Sequence, residues 1–552
     1  MSGDGRDRPL VPRLPLAARL RGRPGFDAAD RRERERFERA LPATGDGYAT
    51  VRRDGRLLAV RPDATATGRS VARANLDLVV GLCEREGIDY FAVPEPNSLT
   101  ARIAIAPGRW DAFTRALARP APDGPVYVEI AARTRNTRTR FAALSTDPWL
   151  DGALAGQDRL EVFRPVAPGP DSPLLGVEWA CRVEPWTAGE DDRVLAADRN
   201  PRAAFVDAAL ATPATVDVLG RPVATLAPFT RRHVFEVDFP VDAVYLWVDG
   251  GDPAWQARKA AALSALAGAG DTVVEPGAVA DERFRDGGEL RYSLRSLAAY
   301  APWVRRVFLV TDGQLPGWLD RDAAGLTLVD HRELFGDAGR LPTFNSHAIG
   351  ARLHHIEGLA EHYLYLNDDV FFGRDVTPAA FFEAGGLSKF FLSRTSLGFA
   401  DDTHRPAHES ARRNVADLLE RDFGRTPANI FYHSPVPQRR STMAELERRY
   451  PDEFARTWSN QFRSHTDIEP NSWLHHYYGY LTGRAVPASI SYTYAELGRP
   501  EARPRLTRLA RTRDRDVFCI NDHVDATPDD HAFAADWLAR YFPVPSRFEK
   551  PS

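Results

Sequence analysis

The stretch Tyr363-Leu364-Tyr365-Leu366-Asn367-Asp368-Asp369-Val370-Phe371-Phe372-Gly373 sets the fold class of this 552-residue chain. Its aromatic and aliphatic run has the composition of a buried strand. The run ends in an amide and two carboxylates, then turns apolar again before a glycine. In open α/β sheets ligands collect at the carboxyl ends of strands, which is where the acidic pair falls. Adjacent carboxylates repel, and burying them unpaired is costly, so a divalent cation, an arginine or a shared proton would relieve the pair. An Asx turn capping the next element accounts for the same residues equally well.

Around this stretch the bulk properties are those of a globular protein. The length suits two or three domains, and 43% of the residues are hydrophobic. A net charge of -4 offers no global basic field for nucleic acid. The cations are nearly all arginine, with Lys259, Lys389 and Lys550 the only lysines. Cys83, Cys181 and Cys519 lie far apart and form neither a disulfide framework nor a zinc pattern, which suits a reducing compartment. With no apolar run of about 18 residues and no apolar signal region, the expectation is a cytoplasmic protein with at most peripheral membrane contact. Nothing in the sequence sets the oligomeric state.

Residues 1–45 are Arg-rich and read as a mobile arm with a short helix near 27–41, solvated or touching anionic lipid. Residues 46–235 read as an α+β domain. It opens with a hairpin turning at Asp54-Gly55 and continues with helices over 72–86 and 110–117. Strands are expected over 90–93, 100–105, 126–130 and 160–163, with Glu95 and Asn97 as turn residues. A long α/β region opens near 236 and runs to about Phe542, and an exposed tail is expected after Pro543.

Four blocks of that region carry chemistry. In the first, a strand over 241–248 ends in Asp249, followed by Gly250-Gly251 and by Asp252-Pro253 at a helix start. Many nucleotide-binding sheets begin with such a strand and glycine loop. The absence of G-x-G-x-x-G and of a P-loop excludes a dinucleotide fingerprint and a Walker site. The second block, Arg283-Phe284-Arg285-Asp286-Gly287-Gly288-Glu289, precedes a helix with Leu290, Leu294 and Leu297 on one face. Its acids suit the helix dipole and its arginines suit phosphate, although a capped surface helix needs the same residues. A strand over 307–311 follows. The third block places Asn345, Ser346 and His347 before a helix bearing Ile349, Leu353 and Ile356. Further on, His404 and His408 stand in a polar, Arg-rich helix start. The fourth runs from Gln461 and Arg463 through His465 and Asp467 to His475-His476, and Asn521-Asp522 closes a strand over 517–520.

Taken together, these blocks resemble the Stealth family of sugar-1-phosphate transferases. That family includes bacterial capsular or exopolysaccharide phosphotransferases and the catalytic subunit of the lysosomal-enzyme GlcNAc-1-phosphotransferase. Its four conserved regions correspond to 242–255, 283–373, 406 to about 476, and 518–548, within a catalytic domain of residues 236–552. Residues 46–235 resemble an N-terminal extension of some bacterial members. The resemblance implies a Rossmann-like α/β fold similar to nucleotide-sugar glycosyltransferases. It implies Asp369, His408 and Arg463 as catalytic residues. Asp249, Asp252, Arg285, Asn345, Ser346, His347 and Asn367 would bind the donor, and Asp368, Asp369, Asn521 and Asp522 would hold Mg²⁺ or Mn²⁺. The implied reaction moves a sugar-1-phosphate from a nucleotide-diphosphate sugar, expected to be a UDP-sugar, to a hydroxyl of a polysaccharide or glycan acceptor. A nucleoside monophosphate would leave, as in capsule or exopolysaccharide synthesis. Two other readings fit parts of the pattern: a metal-dependent glycosyltransferase releasing a nucleoside diphosphate, and a non-catalytic sugar-nucleotide or glycan-binding scaffold.

Overall fold

The computed structural model describes residues 47–551 except 54–55, 122, 132–139, 145–153, 155–156, 170–171, 197–198, 269–273 and 399–405. The Arg-rich arm with its expected helix, Asp54-Gly55 and His404 therefore lie outside the described residues. These divide into two compact units, the second beginning at Arg232 and including 172–173.

In the first unit, strands Ala49–Arg53 and Arg56–Pro62 pair antiparallel, with Arg53 opposite Arg56, so the connection has the two residues a tight hairpin needs. Helix Gly68–Glu86 starts in a Thr67–Ser70 capping box and stops at Gly87. Its apolar face, Leu76, Val79, Val80 and Cys83, packs with Ile103, Ile105, Val128 and Val162, residues of one ten-stranded sheet. Asn97 has a φ of 55°, a left-handed turn conformation that asparagine tolerates.

The second unit contains β1 (Val241–Leu246), α1 (Pro253–Gly268), α2 (Glu289–Tyr300), β2 (Val307–Thr311), β3 (Leu326–Asp330), α3 (Ser346–Gly350), β4 (His362–Asn367) and β5 (Val370–Phe372). Then follow α4 (Ala407–Phe423), β6 (Val436–Arg439), α5 (Arg440–Arg449), α6 (Pro451–Ser459), β7 (Tyr492–Glu496), β8 (Val517–Asn521) and α7 (Pro528–Tyr541). The main sheet has the order β3-β2-β1-β4-β6. Its first four strands are parallel and β6 runs antiparallel to β4. The central strands are apolar on both faces, as strands covered on both sides must be. On one face Ala243 and Tyr245 pack with Leu290, Leu294 and Leu297 of α2. On the other, Val244, Phe308 and Tyr363 pack with Ile349, Leu353 and Ile356. Among the described residues no helix is long and apolar enough to cross a membrane.

A second sheet, β5-β8-β7, begins where β4 ends. Val370 pairs with Cys519 and Phe372 with Val517. The stretch 363–373 is thus two strands in two sheets, and Asp368-Asp369 is the turn between them.

Two expectations are corrected. The helix expected to run through Leu353 and Ile356 stops at Gly350, and Leu353–His355 forms a separate 3-10 turn. Asn471 presses on Gly350 so closely that an added Cβ would lie 2.3 Å from its Nδ2. The expected exposed tail after Pro543 is docked instead. Phe548 is buried in the core. Glu549 accepts hydrogen bonds from Arg291 Nε at 2.6 Å, Arg295 Nε at 2.7 Å and Ser546 N at 2.8 Å. Two cations one turn apart on α2 are thus neutralised by a single carboxylate from a segment about 250 residues away.

Burial favours the neutral acid at Glu549, but the bonds from Arg295, Ser546 and Arg291 outweigh it and hold its carboxyl down at about 2, against an ordinary 4.5. A depressed folded-state pKa gives stability that is present above the unfolded value and lost as pH falls through the folded one. Glu549→Gln is expected to cost about 2–3 kcal/mol at neutral pH and to flatten the loss of stability between about pH 4.5 and 2. Urea unfolding of both proteins across that range checks it.

Candidate functional site

Polar groups gather where β1, β2 and β4 end. After β1, Asp249 Oδ1 accepts from Gly251 N at 2.8 Å, closing an Asx turn. Asp252 Oδ1 accepts from Ala254 N at 2.9 Å and starts α1. Gln314, after β2, donates to Asp249 O at 2.9 Å and to Asp252 Oδ2 at 3.0 Å, tying the two strand ends together. Gly250 lets this loop touch the second block: its N–H donates to Phe284 O at 2.8 Å, and a Cβ there would sit 2.3 Å from that oxygen. The contact carries Arg283, Asp286 and Glu289 to the sheet end.

One side of the site is acidic. Burial, then the neighbouring Asp369, Glu289 and Asp286, push the Asp368 carboxyl well above its ordinary range. Burial raises Asp286 as well. Burial, with Asp286 and Asp369 adding to it, brings Glu289 up to about 7. This crowd of carboxylates is what a hard divalent cation would relieve, and its oxygens suit Mg²⁺ or Mn²⁺. Asp369 Oδ1 lies 3.1 Å from His433 Nε2, and Oδ2 accepts from the Cys519 thiol at 3.2 Å. These three donor groups lie within 4.8 Å of one another. His433 also stands 3.0 Å from Asn367 Nδ2. Burial opposes its protonation, but the Asp369 charge and hydrogen bond prevail and raise its pKa.

The other side is cationic. Arg463 donates to Ser346 Oγ at 2.8 Å, while its Nε is buried without a partner. Burial pushes both Arg463 and Arg283 down. Burial, and next the charge of Arg463, bring Arg283 down to about 9. Such a pair is stabilised by an anion. His408, at the first turn of α4, is pushed down to about 4 by burial and by Arg412 and Arg463. Arg412 is anchored by Glu469 Oε2 at 2.7 Å.

The loop carrying Arg463 is held by a buried clamp. Asn345 is fully buried. It caps α3 through His347 N at 3.0 Å, and its amide donates to Asp467 Oδ2 at 2.9 Å and Phe462 O at 3.3 Å. His347 Nδ1 lies 3.3 Å from the same Asp467 oxygen. Of the sequence-derived residues, Asp368, Asp369 and Asn367 come together around one strand end, and Ser346, His408 and Arg463 around one cationic wall. Asn345 and His347 bind protein groups within that wall. Arg285 and Asp522 meet each other, at 2.7 Å, with His531 Nε2 2.8 Å from Asp522 Oδ1. Asn521 ends β8, opposite the Asp368 turn in register. The sequence reading missed Arg283, Arg412, Glu289 and His433 as site residues. Arg283 and Glu289 were visible in the second block, but only packing separates Arg283, which donates to Ala278 O at 2.9 Å, from Arg285, which donates to Asp522 Oδ2 at 2.7 Å. No local signal marks His433.

Comparison with known proteins gives a consistent result. Residues 239–267, 283–390, 432–480 and 507–552 match the family regions described as Stealth protein conserved regions 1, 2, 3 and 4. An exopolysaccharide phosphotransferase of Streptomyces coelicolor is 40% identical over 563 residues, covering 97% of this chain and 91% of that one. Another from that organism is 39% identical over 538 residues, and there the match spans 93% of this chain but 56% of the relative. The exopolysaccharide phosphotransferase CpsY of Mycobacterium tuberculosis is 39% identical over 345 residues, covering 61% of this chain and 63% of its own.

If Arg283 and Arg463 form one anion pocket, Arg283→Gln should weaken binding of a nucleoside diphosphate by about 10- to 100-fold, the range for losing a charge-assisted contact. Calorimetric titration checks it, with the melting temperature measured on the same sample. Unchanged affinity in a folded variant would remove Arg283 from the pocket.

Proposed function

Because the chain belongs to the Stealth family, we propose that it transfers a sugar-1-phosphate from a nucleotide-diphosphate sugar, with UDP as the expected nucleotide, to a hydroxyl of a glycan acceptor in exopolysaccharide synthesis. The observation that carries this reading is the pairing of opposite clusters around β4. Asp368 and Asp369 form the turn that ends β4, where Tyr365 Oη donates to Asn367 Oδ1 at 2.7 Å, and Arg463 donates to Ser346 Oγ at 2.8 Å at the start of α3, the helix packed on the same sheet. A diphosphate needs both, cations for its oxygens and carboxylates for its counter-ion. The β3-β2-β1-β4 order is read as a Rossmann-like, glycosyltransferase-like sheet, and residues 46–235 as an N-terminal extension.

The acceptor hydroxyl attacks the phosphorus attached to the sugar. The bond from that phosphorus to the nucleotide breaks, and a nucleoside monophosphate leaves. The sugar–oxygen bond is untouched, so anomeric configuration is retained. Arg463, oriented by Ser346, and Arg283 bind phosphate oxygens in fork geometry. His408 is neutral at working pH and takes the acceptor proton on a ring nitrogen. Asp368 and Asp369 would hold Mg²⁺ or Mn²⁺, which would supply positive charge against that of the diphosphate and the leaving group. Asp249, Asp252 and Gln314 shape the loop where the nucleotide would lie. Arg285 and Asp522, joined as an ion pair, border the acidic side.

Incubation with a panel of UDP-sugars should release UMP, and EDTA should abolish that release. UDP as the nucleotide product would instead establish a glycosyltransferase, and donor binding without turnover a scaffold. Asp369→Asn should fold normally and lose turnover, as judged by melting temperature and product formation.

His408→Ala should lower the single-turnover rate by about 10²–10⁴-fold with donor affinity retained. A base is active when deprotonated. With the ring pushed down to about 4, rate is lost only as pH falls toward that value, and the acid limb should lie well below the ordinary histidine range. A normal single-turnover rate in the variant would remove His408 from the mechanism.

A further inference from the structure

Among the described residues, a second cluster of metal-ligating side chains lies apart from those given roles above. His354 and His355 end the short turn Leu353–His355, between α3 and β4. Both present Nε2 to a single oxygen, Oε2, of Glu447 on α5. His355 does so at 2.7 Å, and His354 makes a still closer contact. The two rings have centroids 4.2 Å apart, and the three donor atoms lie within 4.8 Å of one another. The other Glu447 oxygen, Oε1, is 3.4 Å from Arg352 Nη1.

We propose that His354, His355 and Glu447 form a second metal site, for a borderline divalent cation such as Zn²⁺, independent of the transfer reaction. The donor chemistry selects the ion. Two imidazole nitrogens and one carboxylate oxygen are a zinc set with a fourth position left for water, whereas Mg²⁺ and Ca²⁺ prefer oxygen alone. The geometry is close. Bonds of about 2.0–2.1 Å place tetrahedral ligands roughly 3.3 Å apart, about 0.6 Å further than His355 Nε2 and Glu447 Oε2 now stand. The surroundings are ordered for it. Arg352 engages Oε1, which leaves Oε2 as a single oriented ligand. His354 is buried as an anchor, while the His355 side chain is 39% exposed and gives the ion a route in and water a place to bind. An ion here would fasten the turn preceding β4 to α5, and β4 carries the Asp368-Asp369 turn.

The test uses the full chain, stripped with a chelator and titrated with ZnCl₂. The expected result is one ion bound per chain at this cluster and a rise in melting temperature of about 2–4 °C. Both should be lost in His355→Gln, which changes an exposed side chain, and in Glu447→Gln, and both should persist in Cys519→Ser. Co²⁺ in the same site should give visible bands without sulfur-to-metal charge transfer. Any of three results overturns the proposal: no zinc bound by the wild-type chain, unchanged binding and melting in folded His355→Gln, or a sulfur charge-transfer spectrum. The last would place the ion at Asp369, His433 and Cys519.

Discussion

Mutual repulsion among Asp286, Glu289, Asp368 and Asp369 is the constraint on which the second unit depends. Four carboxylates are brought together by three separate segments: the loop ahead of α2, the first turn of α2, and the turn between β4 and β5. The protein offers them few cations. Arg285 is engaged by Asp522, Arg291 and Arg295 by Glu549, and Arg305 by Asp242. Burial and the neighbouring carboxylates raise Asp286, Glu289 and Asp368, and the cluster stores an affinity for positive charge that a substrate complex can use.

The cationic wall is the complementary arrangement. Burying Arg463 near Arg283 costs desolvation and like-charge repulsion, so its loop must be over-determined elsewhere. The Asn345–Asp467–His347 clamp does this. Asp467 is fully buried and accepts from Asn345, Asn460 and Ser464, which leaves the 460–467 loop little freedom. The histidine and asparagine next to Ser346 thus support the site through the positions of others, a role that residue type alone does not distinguish from ligand binding. Preorganised charge of this kind is the main device available to phosphoryl transfer, where positioning and neutralisation outweigh covalent chemistry.

Much was legible in the chain itself. The apolar runs around Val244, Phe308 and Leu364 gave their strands, because a strand buried on both faces has to be apolar throughout. Leu290, Leu294 and Leu297 gave the buried face of α2. The order of the four blocks gave the family. The pairing of Asp368 with Asp369 at a strand end was visible as well, since it is local. Less could be said where the signal was not local. The division of 363–373 between two sheets depends on β8, which lies about 150 residues further on. The close approach of Asn471 to Gly350 and the docking of Glu549 on two arginines of α2 are set by residues far apart in the chain.

The sequence by itself therefore determined the elements, the acidic turn and the family, because each is written in neighbouring residues through periodicity, capping and motif order. Tertiary structure alone decided which arginine faces which partner. Arg283 and Arg285 are two residues apart and chemically identical, yet one is pushed down by burial and by the charge of Arg463, while the other binds Asp522. It also decided that His433 and Cys519 meet Asp369. Side-chain direction and long-range strand pairing make those choices, and they arise only when segments hundreds of residues apart are packed against one another.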